Sequence, residues 1–107
     1  MTDQDACVDL LQLRLRLVAD LSALNAEALR LTQGLAGMEM DIQRFEMEIA
    51  KNGATEKLAR DLHGVEASAE SIRVMQTNCR ENIAAVESKV AELDRQLAEA
   101  KTAGERS

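Results

Sequence analysis

The stretch Lys51-Asn52-Gly53-Ala54-Thr55 divides a chain of 107 residues into two halves with the same rhythm. Before it, apolar residues recur at alternating steps of four and three: Leu17, Leu21, Leu24, Ala28, Leu31, Leu35, Met38, Ile42, Phe45 and Ile49. After it the steps resume in a different phase: Leu58, Leu62, Val65, Ala69, Ile72, Gln76, Cys79, Ile83, Val86, Val90, Leu93 and Leu97. A mean repeat of 3.5 residues marks helices that supercoil about a shared seam. Asn52-Gly53 stops a helix, because either residue tolerates the left-handed backbone of a helix end. Thr55 is an N-cap for a second helix, with Glu56 in its first turn. The expected fold is therefore all-α: an antiparallel coiled-coil hairpin turning at Asn52-Gly53. Its helices run over about 6–51 and 55–101, the turn over 52–54, with residues 1–5 frayed and 102–107 a loose tail.

The register agrees. Folded at Gly53, the chain sets Ile49 against Leu58, Phe45 against Leu62 and Ile42 against Val65. The two numbers of each facing pair add to 107, and this holds down to Leu10 with Leu97. The alternative is one continuous helix whose heptads slip near Gly53.

Composition excludes several classes. The chain has no Pro, Trp or Tyr and a single Phe, so its core must be built from Leu, Ile, Val, Ala and Met. With 30% charged residues and sustained heptads it belongs with coiled coils and bundles, as one domain. A net charge of −6 argues against non-specific nucleic-acid binding. No apolar run approaches the ~18 residues of a membrane span. The N-terminus, Met1-Thr2-Asp3-Gln4-Asp5, lacks a signal-peptide pattern, so a cytosolic location is expected. Cys7 and Cys79 fit no metal spacing. In the hairpin they face Ala100 and Ala28, too far apart along the axis for a bridge, so reduced thiols are expected.

The first third of helix 1 is apolar on two faces. Its run Leu11 to Leu17 alternates apolar and polar like a strand, yet the heptads continue past it, so a helix is expected there too. Leu10, Leu17 and Leu21 fill the seam, while Leu11, Leu15 and Val18 make a neighbouring stripe spaced four and three apart. A helix apolar beyond one stripe has more than one neighbour, and contiguous exposed patches mark interaction sites. The tail beyond Lys101 offers only Ala103 as an apolar group, so it is a poor cover; another chain is expected there. Arg14 takes a seam position opposite Leu93, where its head can snorkel to water. Gln76, at the seam opposite Leu31, is expected to fix register at some cost in stability. Catalytic and cofactor chemistry is not expected: there is one His, no Gly-rich phosphate loop, and no Ser or Cys placed beside a base.

The run Glu70-Ser71-Ile72-Arg73-Val74-Met75-Gln76-Thr77-Asn78-Cys79 resembles the Glu-Ser-Arg-Met-Met-Ile-Pro-Asp-Cys signature of the tubulin-folding cofactor A family. Ile72 is an extra residue, and Thr77 and Gln76 stand where the signature has Pro and Ile. Leu13-Arg14-Leu15-Arg16 resembles the family's early Ile/Leu-Lys-Ile-Lys run. Lys51-Asn52-Gly53-Ala54, followed by Leu58, resembles its Lys-Gly-Ala-Asp turn. The resemblance implies a small cytoplasmic, cytoskeleton-associated chaperone that captures β-tubulin after chaperonin release, and a three-helix bundle as the alternative fold. It singles out Arg73 and Met75 as contact residues, to which the stripe Leu11, Leu15, Val18 and the nearby Arg80 are added. The chain is then a monomer or homodimer that is not an enzyme. The rival expectation is a structural coiled-coil subunit or adaptor of a larger assembly.

Overall fold

The computed structural model describes residues 3–106, with side chains from Gln4 to Gly104. Two helices account for them: α1, Asp3–Asn52, and α2, Glu56–Arg106, antiparallel in a hairpin. Each is rich in Ala, Leu, Glu, Gln and Arg, the strong helix formers, and neither contains Pro. The strand-like alternation at Leu11–Leu17 is overridden by the heptads that continue past it.

The turn is built from local hydrogen bonds. Gly53 ends α1 at φ +84°. That is the left-handed region where a Cβ is penalised, and Gly has none. Its N–H donates to the Ile49 carbonyl at 2.8 Å, which satisfies one of the open carbonyls at the helix end. Thr55 caps α2: its Oγ1 accepts from the Leu58 N–H at 3.1 Å. Lys51 in the last turn of α1 and Glu56 in the first turn of α2 suit the two helix dipoles.

The helices reach further than the sequence implies. Asp3–Asp5, expected to fray, belong to α1, and Thr102–Arg106, expected to be a loose tail, continue α2. The tail has no apolar periodicity to announce a helix. However, Ala98, Ala100 and Ala103 carry the highest helix propensity, and the Thr102 hydroxyl folds back onto the Ala98 carbonyl at 2.9 Å. Met1, Thr2 and Ser107 lie outside the described residues. The three-helix alternative is not what forms: the residues after Lys101 lengthen α2 and begin no third helix.

By packing, the chain divides into two units. The first is Glu27–Arg80, around the turn. Its seam buries Leu31, Ala69 and Cys79, and half-buries Met38, Ile42, Phe45, Leu62, Val65 and Gln76 among others. Between its helices Arg73 Nη2 lies 3.7 Å from Glu39 Oε1. The second unit joins the helix ends, up to Ala26 and from Glu81 onward. There Leu10, Leu17, Leu21 and Leu24 are half-buried with Ile83, Val86, Val90 and Leu97, and Leu93 is buried. Arg14 Nε donates to Asp94 Oδ1 at 2.6 Å. In both units the buried residues are those of the predicted seam, with Glu27, Asp41 and Gln96 on the g edge half-buried beside it. Few side chains are fully enclosed because a two-helix seam has only two residues per layer, with solvent on either side.

Candidate protein-binding surface

Within the heptad, the seam uses positions a and d. In an antiparallel pair the two e edges, one residue past each d, flank the seam on one side, and the g edges flank it on the other. The ion pair between Glu39 and Arg73, both at e, follows that geometry. So does Asp94, at e of α2, beside the seam residue Arg14.

In the unit of the helix ends, Leu11 and Val18 are e residues of α1 and Leu15 is a b residue one step further round. They form a single ridge, being 50%, 39% and 70% exposed. Val8, 45% exposed, extends the ridge one turn toward the N-terminus. It had the signal to be found, since it stands three residues before Leu11. Leu13 is exposed on the opposite, g edge and does not belong to the ridge. On α2, the e edge that flanks the same side carries Glu87, Asp94 and Lys101, all exposed, with Ala84, Ala91 and Ala98 one step further round. The result is a bulky apolar ridge on one helix facing the side on which its neighbour has small residues and charges.

The other sequence-derived contact residues are placed differently. Arg73 and Arg80 share the e edge of α2 in the unit around the turn, but Met75 is on the g edge, across the seam from them. Met75 is 49% exposed. Arg73 is already engaged by carboxylates, Glu70 at 3.5 Å and Glu39 at 3.7 Å. Arg80 donates to Thr77 Oγ1 at 3.4 Å. Cys79, the last residue of the signature, is buried in the seam. Leu11, Leu15 and Val18 thus form one surface within one unit, whereas Arg73, Arg80 and Met75 belong to the other unit and form no single surface there.

Away from the ridge side, Glu92, Arg95 and Gln96 at c, f and g of α2 interact among themselves. Glu92 is bound by Arg95 and by Gln96 Nε2 at 3.2 Å. The hydrogen bond from Arg95, then that from Gln96, holds its carboxyl down at about 2. The Arg95 guanidinium is raised in turn, first by its hydrogen bond to Glu92. The Arg14 guanidinium is raised by its hydrogen bond to Asp94.

Among the described residues, no three or more His, Cys, Asp or Glu side chains converge as a metal cradle would require. Cys7 and Cys79 form no disulfide. The hollow lined by Met40, Gln43, Arg44 and Met47 has walls from α1 alone, so it is a surface groove and not an enclosing pocket. Among the described residues, no helix is long and apolar enough to cross a membrane. No protein-family model, curated protein or solved structure matches this chain.

Proposed function

We propose that the chain is a non-catalytic protein-interaction module, a coiled-coil hairpin whose α1 ridge holds a segment of another protein. The observation that carries this is the division of labour on α1. Leu10, Leu17, Leu21 and Leu24 already fill the seam, yet Leu11, Leu15 and Val18 stand aligned and exposed beside them. At 50%, 70% and 39% exposed, each forgoes a corresponding part of the roughly 1.5–3 kcal/mol that full burial would supply.

β-Tubulin is the client that the cofactor A resemblance names, and with it a cytoplasmic, cytoskeleton-associated chaperone. The exposure of Arg73 and Met75 supports that narrower reading. The engagement of Arg73 by Glu39 and Glu70, and the absence of a third helix among the described residues, weigh against it. The second reading is a subunit or adaptor of a larger assembly, which the long helices of the hairpin favour.

The test is size-exclusion chromatography of the hairpin with purified β-tubulin released from chaperonin. Co-elution that is lost when Leu11, Leu15 and Val18 are replaced by Gln supports capture through the ridge. Failure to co-elute removes β-tubulin as the client. Co-purified partners that the same triple variant loses would then identify the assembly.

A further inference from the structure

We infer that Asn52 is a site of spontaneous covalent modification. It loses its side-chain amide to water through a succinimide closed by the Gly53 nitrogen, at a rate set by opening of the last turn of α1. The chemistry is independent of what the ridge holds.

The turn places the two reacting groups side by side and leaves them open. Asn52 is the last helical residue of α1, Gly53 follows it outside either helix, and both are exposed. Gly53 has no side chain to shield its nitrogen, and even a Cβ there would meet nothing within 4 Å. In the reaction the Gly53 backbone nitrogen attacks Asn52 Cγ. A bond forms between that nitrogen and Cγ, the bond from Cγ to Nδ2 breaks, and ammonia leaves with the proton the nitrogen gave up. Water then opens the ring. Cleavage at Cγ leaves an aspartate at position 52. Cleavage at the main-chain carbonyl leaves an isoaspartate, whose backbone runs through the side chain and is longer by one methylene. No electrons are transferred, and water is the only co-reactant.

The folded turn holds this chemistry back. The Gly53 N–H is committed to the Ile49 carbonyl at 2.8 Å. A helical side chain also leans toward the helix N-terminus, away from the nitrogen that follows it. Attack therefore waits for the end of α1 to fray, and helix ends open far more readily than helix interiors. The other asparagines have neither a following glycine nor a place at a helix end. Asn25, Asn78 and Asn82 lie inside α1 or α2 and precede Ala26, Cys79 and Ile83. The product acts on the turn itself. One more carboxylate takes the net charge from −6 to −7 and stands at the negative end of the α1 dipole. In the isoaspartate form the added methylene also moves the Gly53 N–H away from the Ile49 carbonyl.

The experiment ages the full chain at neutral and alkaline pH and maps its peptides by mass spectrometry, with isoaspartate resolved by chromatography. Asn52 should deamidate at least about tenfold faster than Asn25, Asn78 or Asn82. The rate should rise with pH, the product should be mostly isoaspartate, and the converted chain should melt earlier than the fresh one. In denaturant, where the helix end no longer restrains it, Asn52 should react several-fold faster still. Gly53→Ala, compared in denaturant so that its effect on the fold plays no part, should slow the reaction. Loss at Asn52 no faster than at the other three asparagines overturns the inference, as does a product that is aspartate alone, which would mean direct hydrolysis. A rate that denaturant leaves unchanged overturns the control by the helix end, and one that Gly53→Ala leaves unchanged overturns the ring closure. A fully converted chain that melts like the fresh one overturns the effect on the turn.

Discussion

Arg14 and Asp94, 80 residues apart in sequence, meet across the hairpin with Nε 2.6 Å from Oδ1. The contact explains why an arginine is tolerated at a seam position: it stands at the layer of buried Leu93 while its head reaches a carboxylate on the edge. Both side chains are well exposed, so solvent screens the pair and it should add little to stability. A double-mutant cycle with Arg14→Leu and Asp94→Asn should return a small coupling, falling in high salt. Arg14→Leu alone should raise the melting temperature, since Leu packs on Leu93 without needing a partner. A coupling that ignores salt would show that the pair is not exposed as described.

The turn and the helix interior should respond to the same substitution with opposite signs. Gly53→Ala forces a Cβ into φ +84° and should cost about 1–2 kcal/mol. Gly37 is helical, and a Cβ there meets nothing within 4 Å. Gly37→Ala should therefore stabilise by up to about 1 kcal/mol. Chemical denaturation of the two variants checks both signs; stabilisation by Gly53→Ala would mean that α1 does not end in a left-handed residue.

Two seam positions test how closely the helices approach around the turn. Ala69 is fully buried, so Ala69→Leu has nowhere to place its extra atoms and should cost about 1–3 kcal/mol. Gln76 is half-buried at the layer of buried Leu31. Gln76→Leu should raise the melting temperature by replacing a polar compromise with an apolar pair. A fall would show that the Gln76 amide is held by hydrogen bonds that Leu cannot make.

Glu92 should titrate far below an ordinary carboxylate. Its folded-state pKa, about 2, lies under the usual 4.5, so ionised Glu92 favours the fold above about pH 4.5 and that support is lost as the pH falls toward 2. Carboxyl carbon shifts followed by NMR from pH 6 to 1.5 should place its midpoint near 2, and Arg95→Ala should return it toward 4.5. A midpoint near 4.5 in the unaltered chain would mean that Arg95 does not hold the carboxylate in solution.

Most of the fold is legible in the sequence because one physical signal repeats for the whole length. Steps of three and four from Leu10 to Leu97 mark the seam, and Gly53 with Thr55 marks the turn by backbone chemistry. The extension to Arg106 is not legible, because the final turns bury little and are helical through alanine propensity and local bonds such as Thr102 to Ala98. The partner of Arg14 escapes detection since Asp94 is an edge residue, invisible to a pattern of apolar positions. The ridge Leu11, Leu15, Val18 is legible by subtraction from the seam. Met75 and Arg73, two residues apart, do not share a helix face, and the seam runs between them.

Helix α1 carries two surfaces, a seam that holds the fold and a ridge that does not. Thermal melts by circular dichroism separate them directly. The Leu11, Leu15, Val18→Gln variant should keep its helicity and melt within a few degrees of the unaltered chain, whereas Leu17→Gln with Leu21→Gln should melt far earlier or fail to fold. A ridge variant that unfolds as readily as the seam variant would contradict this division, because Leu11, Leu15 and Val18 would then belong to the core.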